Sequence, residues 1–251
     1  MIGEYSPKLQ GFKRNILREY FQYKILEIIF NSKHAHKLAF LGGTALRIVF
    51  GNQRFSEDLD FDNFGLTPKE FMEITEIVKR GLELEGYVTE IRSVFKGAFR
   101  CYLKLPQILF REGLTGNKTE KILIQIDTAA HNFPYRPQRE VINKFDVLTE
   151  ILITPSDIIL SQKIAAALGR KTAKGRDFYD IMFLLGKTKP NFDYLREKLK
   201  IANSRELKRS LLNKAKKLDF KQLSRELTPF LFDSAEARKL ELFGEVLKKI
   251  Q

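Results

Sequence analysis

Cysteine is almost missing from this chain: Cys101 is the only one. An internal disulfide and a thiolate zinc cluster are therefore excluded, and a reducing cytoplasm is the simplest compartment to expect. Long apolar runs are missing as well. No stretch approaches the roughly 18 uninterrupted apolar residues of a membrane span, so no membrane association is expected. The opening MIGEYSPKLQGFKRN lacks the apolar core of a secretory signal. Histidine is scarce, and His34 and His36, ahead of the first apolar run, read as surface loop residues and not as zinc ligands. Cys101 itself, in RCYLKL, reads as a buried strand residue. Acidic residues are the remaining shortage. The net charge is +13, and residues 160–217 hold 16 Lys and Arg against 5 Asp and Glu, while the rest of the chain is close to neutral. A basic block of this density suits a polyanionic partner.

What is present is a globular chain of 251 residues, 43% hydrophobic and 30% charged, enough for one large domain or two modest ones. Residues 11–32 carry Leu17, Phe21, Ile25 and Ile28 at helical spacing. KLAFL, 37–41, reads as a buried strand that stops at Gly42-Gly43. TALRIVF, 44–50, reads as a short helix ending at Gly51-Asn52. Pro68 opens a helix to about Glu85, with Phe71, Ile74, Val78 and Leu82 on one side. Strands follow at about 87–94, 98–105, 121–127 and 147–153. After Thr154-Pro155 the texture turns helical: Ser156 or Thr154 would cap a helix through Leu168, Gly169 would end it, and Arg176–Leu185 is a second helix. The division predicted is a mixed α/β half, 1–153, and a basic helical half, 154–251.

Between the first helix and Pro68 lies FLGGTALRIVFGNQRFSEDLDFD. Its last residues alternate, with Asp58, Asp60 and Asp62 on every second position and Leu59 and Phe61 between them. That is the pattern of a half-buried strand with one acidic face. Asp58 and Asp60 would stand about 7 Å apart and repel by roughly 2 kcal/mol at an effective dielectric near 20. A divalent cation between them offsets that repulsion. Mg²⁺, or Mn²⁺ in its place, takes hard oxygen ligands and binds nucleotide phosphates. Gly42 and Gly43, at a strand end feeding a helix, leave backbone N–H groups open to a phosphate, and Thr44 would cap that helix or donate to a phosphate oxygen. In-line phosphoryl transfer commonly adds a third carboxylate. Asp127 in KILIQID, with Gln125 on its face, is the candidate ligand or base. Glu57 has the wrong parity for this face, and Asp62 is expected to close the strand or meet solvent. In the second half, Lys163 is a point charge suited to triphosphate oxygens. Asp177 and Asp180, three apart on a helix, would orient Lys163 or Arg170, hold the sugar or base, or assist the acceptor hydroxyl.

This arrangement resembles the nucleotidyltransferase superfamily that includes DNA polymerase beta, with Gly-Gly or Gly-Ser followed by an Asp-x-Asp strand. More narrowly, it resembles the abortive-infection nucleotidyltransferase toxins of the AbiEii/AbiGii type. The elements that carry the likeness are Gly42-Gly43-Thr44, Arg54 ahead of Ser56-Glu57-Asp58-Leu59-Asp60-Phe61, then Lys163, Arg170 and Arg176-Asp177-Phe178-Tyr179-Asp180. They run from about residue 38 to 186. Fourteen residues separate Gly43 from Asp58, a little more than the superfamily at large shows. That spacing suits the toxin family better than polymerases or antibiotic-modifying enzymes.

The resemblance implies an α+β fold, a mixed polymerase-beta-like sheet with flanking helices followed by a helical C-terminal domain. It implies a nucleotidyltransferase that uses a nucleoside triphosphate as substrate, with RNA and notably the 3′ end of tRNA as acceptor. It implies a toxin paired with a cognate antitoxin protein. Catalysis would rest on Asp58, Asp60, Asp127, Lys163 and Asp180, with the metal on the first three. Nucleotide binding would fall to Gly42, Gly43, Thr44, Arg54, Lys163, Arg170 and Asp177. Two rival readings are an aminoglycoside-type enzyme acting on a small molecule, which the basic excess opposes, and a nucleotide- or RNA-binding module without turnover.

Overall fold

The computed structural model describes residues 2–248. The chain forms two compact units, one of Met1–Gly51 with Phe55–Thr154 and one of Asn52–Arg54 with Pro155–Gln251. The first unit is built on a seven-stranded mixed sheet, ordered β3-β4-β5-β2-β1-β7-β6.

The chain opens with α1, Lys13–Phe30, which buries Leu17, Phe21 and Ile25 as its spacing requires. It also buries Glu19, whose carboxylate meets Arg47, Lys144 and the Tyr5 hydroxyl. Burial alone would raise the Glu19 pKa, but Arg47 and Lys144 outweigh it and hold it below the usual range. β1, Leu38–Leu41, is the apolar run of the sequence and lies inside the sheet. α2, Gly42–Ile48, starts two residues earlier than its apolar spacing suggested, so both glycines belong to its first turn. β2, Leu59–Asn63, starts later than the alternation suggested and leaves Asp58 just outside it. α3, Pro68–Leu84, has every start signal a helix can carry. Thr67 and Glu70 form a reciprocal capping box and Pro68 fills the first turn.

Next come β3, Glu90–Lys96, β4, Ala98–Pro106, the short α4, Ile108–Arg111, and β5, Lys121–Ala130. Cys101 is fully buried in β4. β6, Gln138–Lys144, is a strand that the sequence does not announce. It is an edge strand in which only Ile142 is buried, so period-two hydrophobicity is missing. Its hairpin to β7, Val147–Ile153, turns through Phe145 at φ 58°, a position where glycine or asparagine is the usual signal. β1, β2 and β5 lie side by side in the sheet, β1 antiparallel and β5 parallel to β2. The core of this unit joins α1, α3 and the sheet through residues such as Phe21, Phe40, Phe71, Val78 and Ile124. His34 is a correction to the surface-loop expectation. It is buried, with Nε2 3.0 Å from Glu73 and Nδ1 3.6 Å from Glu70.

The second unit is helical: α5, Ser156–Gly169, α6, Gly175–Leu185, α7, Phe192–Leu199, α8, Ser204–Ala215, α9, Phe220–Leu227, and α10, Phe243–Lys248. Asn191, Asn203 and Asp219 cap α7, α8 and α9 with their side chains. α5 is different. Neither Thr154 nor Ser156 caps it; Pro155 holds the cap position and makes no side-chain bond. Phe178, Phe220 and Phe243 pack ring on ring inside the unit. Gly175 opens α6 where a Cβ would overlap the Leu223 carbonyl oxygen of α9. Gly175→Ala is expected to push α6 and α9 apart and cost roughly 1–3 kcal/mol. Urea denaturation followed by circular dichroism measures this, and an unchanged midpoint would contradict the close approach.

Candidate active site

The register of three adjacent strands assembles a row of charge. Asp60 of β2 is the partner of Asp127 of β5, and Asp127 is the partner of Arg100 of β4. Partnered residues on neighbouring strands share a face of the sheet, with strands about 4.8 Å apart. At that spacing two carboxylates repel by roughly 3 kcal/mol at an effective dielectric near 20. The chain supplies a partial answer on the Asp127 side. Arg100 Nε donates to Asp127 Oδ1 at 2.9 Å, and Gln125 Nε2 donates to Oδ2 at 2.7 Å.

Asp60 lies against Gly42. The glycine has φ +82°, a conformation that side-chain-bearing residues rarely adopt, and a Cβ there would overlap Asp60 Oδ2. Gly42 is therefore shaped around the carboxylate. Thr44 does not cap α2, whose cap position is Leu41. It is fully buried, and its hydroxyl donates to the carbonyl oxygen of Asp58. That bond ties the residue just before β2 to the helix that the glycines open. Gly43 is buried in the same helical turn.

Asp62 departs from expectation. It is buried, accepts from the Tyr135 hydroxyl at 2.6 Å and lies 3.1 Å from His131 Nδ1. The Thr154 hydroxyl completes this network, 2.8 Å from Tyr135. Asp62 thus holds the 131–135 loop and neither ends the strand in solvent nor joins the row. Glu57 pairs with Arg18 of α1.

In the helical unit, Asp180 is fully buried and collects three donors. Arg54 grips it with Nε at 2.7 Å and Nη2 at 2.6 Å, Asn52 Nδ2 donates at 2.9 Å, and Lys163 Nζ lies 2.9 Å away. Arg54 is itself 2% exposed. Burial pushes the Asp180 pKa up, but Arg54 and Lys163 prevail and hold it at about 2. Its carboxylate is an internal counter-ion. Asp177 is buried near the start of α6, with Arg170 Nε 3.4 Å away. Asn52 and Arg100 were not foreseen from the sequence. Neither has a local signal, because each matters through a partner more than twenty-five residues away.

Among the described residues, no group of three or more His, Cys, Asp or Glu side chains stands ready to hold a metal ion. The donor chemistry nonetheless fits a hard divalent cation. Asp58, Asp60 and Asp127 offer oxygen alone, and each is partly accessible. Mg²⁺ is typically held by one or two carboxylates together with substrate phosphates, so a closed protein cage is not required.

Two outcomes follow from this geometry. Gly42→Ala strains the backbone and displaces the Asp60 carboxylate, so nucleotidyl transfer is expected to fall about a hundredfold or more. A transfer assay checks this, and near-normal turnover would contradict the close packing. Asp180→Asn leaves the buried Arg54 and the half-buried Lys163 without their carboxylate and is expected to cost on the order of 3 kcal/mol. Part of that cost shows as pH dependence. The folded-state pKa is depressed from 3.8 to about 2, so Asp180 contributes its stability above pH 4 and loses it as pH falls through 2. The linked amount is roughly 2 kcal/mol, visible in urea denaturation of the native chain across that window and absent from the Asn variant.

Comparison with known proteins places this geometry in context. The family profile described as nucleotidyl transferase AbiEii toxin, type IV TA system, matches residues 24–248. No curated protein matches the sequence. Among solved structures, JHP933 from Helicobacter pylori is similar at 18% identity and TM-score 0.59, covering 95% of this chain and 92% of that one. MenT4, a nucleotidyltransferase toxin of Mycobacterium tuberculosis, is similar at 16% identity and TM-score 0.57, covering 96% and 95%. Those identities speak to the fold, which is the nucleotidyltransferase α+β fold. The family match covers most of the chain, and with it the chain belongs to the AbiEii family of nucleotidyltransferase toxins of type IV toxin–antitoxin systems.

Proposed function

We propose that the chain moves a nucleotidyl group from a nucleoside triphosphate to RNA, at the 3′ end of tRNA, with Mg²⁺ or Mn²⁺ held by Asp58, Asp60 and Asp127. One observation carries this reading: strand register sets Asp60 beside Asp127 on one face, with the Gly42 backbone folded against Asp60. When bound, the cation supplies charge neutralisation and makes the acceptor hydroxyl a better nucleophile.

The chain's own residues do the rest. Gly42 and Gly43 bring backbone, with no side chain in the way, to the phosphates. Thr44 serves them indirectly, by fixing Asp58 through its carbonyl. Lys163 Nζ lies 2.9 Å from the Asp180 carboxylate, which fixes the position of a point charge suited to phosphate oxygens. Arg54 and Asp180, buried together, are positioning residues for Lys163. Arg170, paired with Asp177, offers an exposed guanidinium for the nucleotide. The RNA reading draws support from the helical unit, where Arg205 and Arg209 of α8 and Lys171 and Lys174 ahead of α6 are exposed. An RNA backbone is bound through such contacts, whereas a cationic small molecule needs an acidic surface. No helix among the described residues is long and apolar enough to cross a membrane. Action on tRNA places the protein in the cytoplasm, where a cognate antitoxin restrains it.

The test is expression in a bacterial host, with sequencing of tRNA 3′ ends, alongside transfer of labelled nucleotides to total RNA in vitro. Asp60→Ala and Asp58→Ala are each expected to lower transfer by at least about 10²–10³-fold while the fold persists by circular dichroism. Undiminished transfer in either variant would remove these carboxylates from the chemistry. Labelling of a small molecule in place of RNA would overturn the acceptor.

A further inference from the structure

Arg100 closes one end of the carboxylate row. It stands on β4 opposite Asp127, one strand further from Asp60. Its Nε lies 2.9 Å from Asp127 Oδ1 while Gln125 occupies Oδ2 at 2.7 Å, so both oxygens of Asp127 are engaged from the protein side. The contact is not a rigid one. The Arg100 side chain is 43% exposed and that of Asp127 21%. An ion pair this open to water is weakly held.

A guanidinium cannot give up its proton in a protein, so Arg100 remains a cation whatever else binds nearby. A divalent cation that takes Asp127 Oδ1 as a ligand meets Arg100 at the same atom. Two cations on one oxygen repel and each weakens the other's hold, and the doubly charged ion has the stronger claim on a pair of carboxylates. That repulsion favours release of Arg100. Its side chain already reaches solvent, and a planar fork of N–H donors finds its best match in a phosphate group. The bulk of any triphosphate at Asp60 and Asp127 would lie on the face that Arg100 also occupies.

We propose that Arg100 is an exchangeable counter-ion: it holds Asp127 when no divalent cation is bound, yields that carboxylate to the cation, and then grips the triphosphate of the substrate. This rests on Asp60 and Asp127 being the cation-holding pair. The exchange fills a need created by the strand register. The two carboxylates are kept from repelling each other before the substrate arrives, and the same positive charge is then reused on the incoming anion.

The experiment measures Mn²⁺ binding to the full chain by electron paramagnetic resonance of unbound Mn²⁺, with no nucleotide present. Removal of the competing cation in Arg100→Gln is expected to tighten Mn²⁺ binding about two- to fivefold. Arg100→Lys, which keeps the charge, is expected to stay close to the parent chain. In saturating Mn²⁺, calorimetry with inorganic triphosphate is expected to show about tenfold weaker binding to Arg100→Gln. Mn²⁺ affinity that is unchanged or weaker in Arg100→Gln would overturn the exchange, because Arg100 would then be holding Asp127 in place for the metal. Unchanged triphosphate affinity would overturn the second role. Asp60→Ala is the control and is expected to lose Mn²⁺ binding. If it binds Mn²⁺ like the parent chain, the carboxylate assignment itself falls, a result distinct from failure of the Arg100 variants alone.

Discussion

Parallel pairing of β2 with β5 is the constraint from which the rest of the site follows. It fixes Asp60 beside Asp127, and the backbone ladder gives neither residue a way to step aside. Two adjacent carboxylates on one face are unfavourable unless positive charge is close at hand. The neighbouring features make sense as consequences. Arg100 and Gln125 engage Asp127 from the flanking strand and from the same strand. Gly42 removes a Cβ that would otherwise compete with Asp60 for space. A fold that keeps such an arrangement must either have a cation to bring or a reason to remain charged, and a nucleotidyltransferase has both.

The same residue type is put to different uses by its surroundings. Asp58, Asp60 and Asp62 are neighbours in an alternating stretch, yet they share little. Thr44 fixes the backbone of Asp58, a glycine frames Asp60, and Asp62 is buried under a tyrosine, a threonine and a histidine. Asp180 is different again. A fully buried carboxylate between Arg54, Asn52 and Lys163 contributes less net stability than its short contacts suggest, because desolvating the charges consumes most of the attraction. What it confers is orientation. Neither Arg54 nor Asp180 can turn away from the other without leaving a buried charge stranded.

Much of the fold was readable because local signals agreed with one another. Thr67, Pro68 and Glu70 mark the start of α3, and Phe71, Ile74, Val78 and Leu82 mark its buried face. The glycines, the alternating aspartates and the later Lys163 and Arg176–Asp180 element carry the family likeness in the sequence itself. What stayed hidden was everything that depends on register or on distant partners. The alternation put Asp58 and Asp60 on one strand, but could not tell that Asp58 falls short of the ladder, nor that Arg100 stands opposite Asp127. β6 lacked both alternation and a glycine turn. His34 gave no hint of burial, because its partners Glu70 and Glu73 come from a helix more than thirty residues on.

The three residues Asn52–Arg54 are covalently part of the loop between α2 and β2, yet they are counted with the helical unit. Asn52 and Arg54 both end on Asp180, and Gln53 accepts a backbone hydrogen bond from Phe232. A fragment ending at residue 154 would therefore carry a guanidinium and an amide parted from the buried carboxylate they both donate to. A fragment beginning at 155 would carry a buried aspartate stripped of two donors. A single cut between residues 154 and 155 therefore cannot leave each unit with all of its own residues, because the helical unit borrows three from the middle of the other.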